Sequence, residues 1–67
     1  MTYQLENDYI ELYKLIKLLD LVDSGGQAKQ LVENGLVLRN GEIETRKRAK
    51  IRVGETIRIG DVTIQTL

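Results

Sequence analysis

The chain is 67 residues long, contains no cysteine and no histidine, and has ten basic and ten acidic side chains for a net charge of zero. This length corresponds to one domain. Without cysteine there are no disulfides or thiolate metal sites, and without histidine a zinc site would have carboxylates alone, which structural zinc sites rarely use. We therefore expect a fold held together by aliphatic packing, with no metal and no cofactor.

The apolar residues show no targeting or membrane signal. The start at Met1 is not followed by a basic region and then an apolar one. The most apolar stretch, residues 15–22, is interrupted by Lys17 and Asp20 and is far shorter than the ~20 residues of a membrane span. We expect a soluble cytoplasmic protein that does not contact a membrane.

The charged residues are unevenly distributed. Residues 1–35 carry three basic and six acidic side chains, a net charge of −3, whereas residues 36–67 carry seven basic and four acidic ones, a net charge of +3. Five of those seven basic residues lie between positions 46 and 52. Because a charged partner responds to a local excess of charge, the distribution favours an anionic partner despite the neutral total.

The first half of the chain predicts two helices. Residues 1–8 have little pattern and are expected to form a tail or a first edge element that precedes the domain proper, residues 9–67. From Tyr9 to Leu21 the apolar residues recur at helical spacing. One stripe of this first helix contains Leu12, Leu15, Ile16 and Leu19.

The second helix has start and stop signals. Ser24, followed three residues later by Gln27, has the form of a capping box, in which the two side chains satisfy free backbone N–H groups. The helix then runs to Asn34, and Gly35 supplies the left-handed residue that ends many helices. The two helices, joined by a short turn, form a helical hairpin.

After Gly35 the apolar period changes to two, which indicates strands. Asn40-Gly41, between strands at 36–39 and 42–44, predicts a type I′ hairpin turn. Further strands are predicted at 51–53, 57–59 and 62–64, after a polar, basic connection. Their alternation directs six residues inward: Ile51, Val53, Ile57, Ile59, Val62 and Ile64. The predicted fold class is α+β, a two-helix hairpin packed on a small, mostly antiparallel sheet.

The order of these features resembles the S4-type RNA-binding domain family, whose fold is also called the αL (alpha-L) motif. The matching residues extend over roughly 11–59: Ser24, Ala28, Leu31, Val32, Gly35, Val37, Asn40-Gly41, Ile51, Val53, Gly54-Glu55 and Ile57. The segments Ser24–Lys29 and Glu44–Ile51 are similar to the small stand-alone bacterial members related to YbcJ and YaaA. The resemblance implies a non-catalytic domain that binds structured RNA in a ribosomal, tRNA or RNA-modification setting.

Two positions depart from the family pattern. Larger members often have an arginine near the start of the first helix, where this chain has Glu11, and Ser-Arg at the start of the second, where it has Ser24-Gly25. Both arginines would face RNA. Their replacement suggests that the basic cluster at 46–50 has taken over part of the contact.

The main candidates for RNA contact are the basic residues of this cluster. They have only Glu44 as an acidic neighbour in sequence, and each offers donors to phosphate groups. A solvated polar loop is the competing interpretation, since charge runs are usually that. The candidate residues are Arg46, Lys47, Arg48 and Lys50, extended by Arg52.

Two further places offer RNA contacts. The start of the second helix presents Ser24, Gly25 and Lys29, and a helix N-terminus attracts anions, although a tight turn explains the glycine equally well. Arg39 would place a basic side chain at the hairpin tip, beside Asn40, whose expected role is the left-handed backbone of the turn.

Other residues are assigned structural roles. Tyr9 and Tyr13 are expected in the partial core and not as a stacking platform, so we expect recognition of RNA shape and phosphates with little base readout. Lys14 and Lys17 are expected to pair with Glu11 or Asp20. The carboxylates form no catalytic pattern, and no Cys or His is present, so we do not expect an enzyme.

Two functions of different classes remain open. The favoured one is binding of structured RNA, either ribosomal RNA, tRNA or a precursor, by a monomer that also associates with ribosomal particles. The alternative is a protein-interaction module on the same fold, which net neutrality and the missing arginines favour. DNA binding through a helix-turn-helix is weaker, because the second helix presents only Lys29 as an exposed basic residue.

Overall fold

The computed structural model describes residues 1–67, which form two helices and seven strands. The helices are α1 (Leu12–Leu18) and α2 (Gly25–Glu33). The strands are β1 (Thr2–Tyr3), β2 (Ile10–Glu11), β3 (Val37–Arg39), β4 (Glu42–Ile43), β5 (Lys50–Ile51), β6 (Thr56–Ile59) and β7 (Val62–Thr66). The predicted α+β class is confirmed. Neither helix has the length and apolar character needed to cross a membrane.

The larger sheet has the strand order β1-β7-β6-β3-β4. All its pairs are antiparallel except β1 and β7, which run parallel with Thr2 opposite Gln65 and Tyr3 opposite Thr66. The first strand therefore lies at one edge of the sheet and β4 at the other. Strands β2 and β5 form a separate antiparallel pair, and this pair carries part of the basic cluster.

Helix α1 is shorter than the predicted helix over 9–21. It begins at Leu12 because the two residues before it are extended and pair with β5. It ends at Leu18, shortly before Asp20 adopts a left-handed φ of 57°. The predicted apolar stripe is confirmed, since three of its members are fully buried: Leu12, Leu15 and Ile16.

Helix α2 has the predicted boundaries. Ser24 Oγ accepts a hydrogen bond from the Gln27 backbone N–H at 3.2 Å, and Gln27 Oε1 accepts one from the Asp23 N–H at 2.7 Å. The capping box is thus confirmed, with the glutamine reaching one residue further back than the N-cap. At the other end Gly35 has a φ of +76°, the left-handed conformation that ends helices.

The hairpin between β3 and β4 has the predicted turn. Asn40 and Gly41 have φ values of 52° and 87°, as a type I′ turn requires. The Asn40 side chain also accepts from the Thr56 N–H at 2.9 Å and donates to Glu55 at 3.0 Å. Asn40 therefore serves the turn and joins it to β6.

The core contains residues from both helices and both sheets. Alternation is confirmed at Ile51, Ile57 and Ile64, which have no exposure. The prediction for Val53 is wrong, because β5 ends at Ile51 and the chain then turns, leaving Val53 64 % exposed. The buried core residues are Leu12, Leu15, Ile16, Ala28, Val32, Val37, Ala49, Ile51, Ile57 and Ile64.

Candidate nucleic-acid interface

The basic segment at 45–50 is fixed against the beginning of α1. The carbonyl oxygens of Ala49 and Lys47 accept hydrogen bonds from the N–H groups of Leu12 and Tyr13, at 2.9 and 3.0 Å. These N–H groups belong to the first turn of the helix and have no acceptor within it. Because Ala49 is also buried, the segment is anchored at its middle while its long basic side chains reach the surface.

The β2–β5 pair separates apolar from basic residues on its two faces. Ile10 lies opposite Ile51, and Glu11 lies opposite Lys50. Because side chains alternate along a strand, Ile51 enters the core while Lys50 is exposed on the outer face. Tyr9, the residue just before β2, lies on the outer face with Lys50.

Tyr9 contacts two cations on this outer face. Its ring centroid is 5.0 Å from Lys50 Nζ and 5.7 Å from Arg52 Cζ, within the ~6 Å range of cation–π interactions. The residue is 40 % exposed. The prediction that Tyr9 belongs to the partial core is therefore wrong, because the chain is extended here and not helical. Tyr13 is half-buried and packs against the core, as predicted.

An open concavity of about 530 Å³ lies beside this face. Five of the six residues that line it are basic and none is acidic. Clefts lined by charge of one sign concentrate counter-ions, and the planar guanidinium of arginine matches the geometry of a phosphate group. The concavity thus has the charge and the donors to hold phosphate. Its lining residues are Arg39, Arg46, Arg48, Ala49, Lys50 and Arg52.

Arg39 forms part of this lining and is held by two carboxylates. Its Nε and Nη2 atoms donate to the two carboxylate oxygens of Glu55 at 2.6 and 3.1 Å, and its Nη1 atom donates to Glu44 Oε1 at 3.0 Å. Nη2 also donates to the backbone carbonyl of Lys50 at 2.9 Å. With its side chain only 24 % exposed, Arg39 joins β3 to the basic segment and has most of its donors engaged.

The two carboxylates are stabilised in their ionised forms. The pKa of Glu44 is lowered to about 2, mainly by a hydrogen bond from Arg46, although burial of the carboxylate acts to raise it. A hydrogen bond from Arg39 also lowers the pKa but has a smaller effect. Burial also acts to raise the pKa of Glu55, but hydrogen bonds from Arg39 and from the Arg52 backbone lower it below its usual range. No cluster of acidic side chains is arranged to hold a metal ion.

Other residues of the cluster pair with glutamates from distant parts of the chain. Lys47 Nζ is 3.6 Å from Glu33, and Arg48 Nε is 3.9 Å from Glu11. The cluster therefore has more acidic neighbours in the fold than Glu44, its one neighbour in sequence, because folding brings α2 and β2 beside it. The predicted pairing of Lys14 with Glu11 is confirmed, at 3.3 Å. Exposed pairs of this kind contribute only about 0–1 kcal/mol, so a phosphate group can compete for the cations.

The start of α2 is connected to the cluster through Tyr13. Lys29 Nζ lies 4.8 Å from the Tyr13 ring centroid, and the Tyr13 backbone bonds to the carbonyl of Lys47. Lys17 lies close to the first turn of α2, since a Cβ atom added to Gly25 would be 3.9 Å from Lys17 Cδ. Lys29 and Lys17 therefore place two further cations near the start of α2.

The structure divides the predicted RNA-binding residues into two groups. Arg39, Arg46, Arg48 and Lys50 surround the concavity. The others lie at α2 and on the docked segment: Ser24, Gly25, Lys29 and Lys47. The sequence did not indicate the position of Tyr9. The apolar residues of 9–21 have helical spacing, which predicts a helix and not the strand pairing that brings Tyr9 to Lys50.

Comparison with known proteins agrees with this architecture. The family model described as S4 domain matches residues 3–67. The chain belongs to the S4 domain family. Among the relatives of this S4 domain is YbcJ of Escherichia coli (strain K12), named as a candidate RNA-binding protein. It is 37 % identical over 62 residues, which cover 92 % of this chain and 89 % of YbcJ.

A second relative of this S4 domain is RlbA of Bacillus subtilis (strain 168), named as a candidate ribosome maturation protein. It is 34 % identical over 55 residues, which cover 82 % of this chain and 78 % of RlbA.

Solved structures show the same fold for this S4 domain. The solution structure of E. coli YbcJ, described as revealing an αL (ALFAL) motif involved in RNA binding, aligns with a TM-score of 0.75 at 37 % identity and covers 98 % of this chain and 85 % of that one. The 30S ribosomal protein S4e from Thermoplasma acidophilum aligns with a TM-score of 0.70 at 24 % identity, covering 87 % of this chain and 31 % of that one. The family resemblance inferred from the sequence is confirmed.

Proposed function

We propose that this S4 domain binds structured RNA without catalysing a reaction. The observation that carries the proposal is the concavity, whose five basic side chains and absence of acidic ones suit a phosphate backbone. The contacts we propose are Ser24, Gly25, Lys29, Arg39, Arg46, Lys47, Arg48 and Lys50.

The relatives support this proposal and suggest the kind of RNA. YbcJ is named for RNA binding and RlbA for ribosome maturation. We therefore propose ribosomal RNA, tRNA or a precursor of either as the ligand, with ribosomal particles as the setting.

The proposed contacts have different roles. Arg46 and Arg48 have side chains that are 75 % and 69 % exposed, so they can turn toward a phosphate group. Lys50 has no carboxylate partner and lies at the edge of the β2–β5 pair. Arg39 supplies a fixed positive charge to the concavity, because its donors are engaged by Glu44 and Glu55.

A salt titration with matched variants tests the proposal. Binding of tRNA and of ribosomal RNA is measured for the wild type, for Lys50→Ala and for Arg48→Ala, with Arg58→Ala as the control. Arg58 is an exposed basic residue of β6 that does not line the concavity, so its removal changes net charge equally. We expect Lys50→Ala to reduce the slope of log affinity against log salt by about 1, and Arg48→Ala by up to about 1.

The control variant should retain the wild-type slope. Equal loss of binding in Arg58→Ala and Lys50→Ala would mean that only total charge matters and would refute the assigned surface. If the wild type binds no RNA at low salt, the RNA-binding proposal fails. Protein binding that survives nuclease treatment would then favour the protein-interaction module.

A further inference from the structure

We propose that Tyr9, with Lys50 and Arg52, forms a stacking site for one unpaired base of the bound RNA. This inference rests on the RNA-binding function proposed above and adds a second kind of ligand group, a nucleobase, to the phosphate groups held by the concavity.

The position of the Tyr9 ring is set by the fold. Ile10, the next residue, pairs with the fully buried Ile51 in the β2–β5 ladder, which fixes the backbone at Tyr9. The ring itself is 40 % exposed and is absent from the residues that pack against the core. A large aromatic side chain is thus held on the surface next to a paired strand, and a group positioned in advance loses little entropy on binding.

Lys50 and Arg52 differ from the other basic residues of the cluster. Arg46, Lys47 and Arg48 each have a carboxylate within 4.0 Å, whereas the side chains of Lys50 and Arg52 form no ion pair and instead lie at 5.0 and 5.7 Å from the Tyr9 ring centroid. They therefore place two cations whose side chains have no ion-pair partner beside one aromatic ring.

The same two cations connect the ring to the phosphate site. Lys50 and Arg52 line the concavity as well as contacting Tyr9. The base and the phosphate of a nucleotide are joined through a single sugar, so one nucleotide can place its phosphate in the concavity and its base on the ring. Guanidinium planes such as that of Arg52 also stack on bases.

Tyr13 provides an internal comparison. It too has a lysine near its ring, Lys29 at 4.8 Å, but Tyr13 is half-buried and packs against the core. Its ring therefore has less free surface to offer a base. Of the two tyrosines, Tyr9 alone combines an exposed ring with a position beside the concavity.

A stacking site changes the expected class of RNA. Bases inside a duplex already stack on their neighbours, whereas those in loops, bulges and ends are available to aromatic side chains. Stacking is tolerant of base identity, since every base has a π-face. The site would thus favour RNA that presents an unpaired nucleotide beside a stem, with little preference for which base it is.

The test compares two RNA probes and three forms of the protein. The probes are a short hairpin with a fluorescent base analogue in its loop, and the same stem as a blunt duplex. The proteins are the wild type, Tyr9→Leu, which keeps an apolar side chain without a ring, and Tyr9→Phe, which keeps the ring. Circular dichroism confirms that each variant is folded.

We expect Tyr9→Leu to weaken hairpin binding about tenfold and to leave duplex binding unchanged. The wild type and Tyr9→Phe should bind the hairpin equally and quench the fluorescence of the loop base, and Tyr9→Leu should not quench it. If Tyr9→Leu binds and quenches like the wild type, the stacking site is refuted while RNA binding stands. If the wild type binds tRNA or ribosomal RNA in the salt titration but binds neither probe, the stacking site is refuted while RNA binding stands. If it binds none of these RNAs, the proposed function fails as well.

Discussion

Arg39 is expected to contribute more to stability than to RNA contact. Arg39→Met keeps the apolar length of the side chain but removes its bonds to Glu44, Glu55 and the Lys50 carbonyl. The two glutamate side chains are only 9 % and 15 % exposed, so both would remain largely buried with fewer partners. Loss of one partner of a buried ion pair costs ~3–5 kcal/mol.

The expected cost in this protein lies below that range. Arg39 is partly exposed, and Glu44 keeps its bonds from Arg46, so we expect Arg39→Met to lower the free energy of unfolding by about 2–3 kcal/mol. A domain of this size rarely has more than ~3–5 kcal/mol from its core. The loss would reduce the Tm by roughly 10–20 °C.

Urea denaturation at neutral pH, followed by circular dichroism, measures this difference. The control is Arg58→Met, which removes an exposed strand arginine with a single side-chain bond, to the Gly60 carbonyl at 3.0 Å. We expect it to change the unfolding free energy by less than about 0.5 kcal/mol. Stabilities of Arg39→Met and Arg58→Met that agree within about 0.5 kcal/mol would refute the reasoning. Adding Glu55→Gln to Arg39→Met should recover part of the loss, because it removes one unpaired charge.

Two further perturbations test other features of the fold. Because the pKa of Glu44 is lowered from 4.5 to about 2 in the folded protein, its carboxylate stabilises the fold fully above the unfolded pKa and loses that contribution as the pH falls through the folded one. Urea midpoints of the wild type should therefore fall as the pH falls below about 4.5, and Glu44→Gln should flatten this dependence; an unchanged slope would contradict the assignment. Gly26→Ala should stabilise the protein by ~0.5–1 kcal/mol, because the new Cβ meets only Ser24 Oγ, at 3.8 Å. Gly41→Ala should destabilise it by ~1–2 kcal/mol, because Gly41 has a φ of +87°. Thermal denaturation of both glycine variants measures these changes in stability. If both variants were stabilised, or both destabilised, backbone conformation would not be what decides the effect of the substitution.

The turns and caps of the fold were predictable because each depends on chemistry within a few residues. Asn40-Gly41 supplies two left-handed residues in succession, Ser24 supplies a side-chain acceptor at the start of α2, and Gly35 ends that helix. In each position few residue types meet the local requirement, so the sequence pattern and the structure coincide.

The boundaries of α1 and β5 were not predictable in the same way. Residues 9–11 have helical spacing of apolar side chains, but Ile10 and Glu11 form hydrogen-bonded pairs with β5, far along the chain. This non-local pairing overrides the local periodicity. It also moves Tyr9 to the surface. The exposure of Val53 has a separate origin, because β5 ends at Ile51 and the chain turns at Val53 and Gly54.

The types of residue in the candidate site were predictable, but the ion pairs that they form with acidic residues were not. The basic cluster is evident from position alone, whereas Glu11 and Glu33 reach Arg48 and Lys47 only after the helices pack. The role of Arg39 was not predictable for the same reason. Its main partner, Glu55, follows the basic segment in the sequence and meets Arg39 only in the folded chain.

The neutral total charge is compatible with an RNA ligand because the acidic residues are placed outside the concavity. Arg46, Lys47 and Arg48 must each exchange a carboxylate for a phosphate group on binding, so they release fewer counter-ions than unpaired cations would. Lys50 and Arg52 have no such exchange to make. The slope of log affinity against log salt should therefore be smaller than expected if every basic residue of the site released counter-ions fully. Lys50 and Arg52, the two cations beside Tyr9, should contribute most to it.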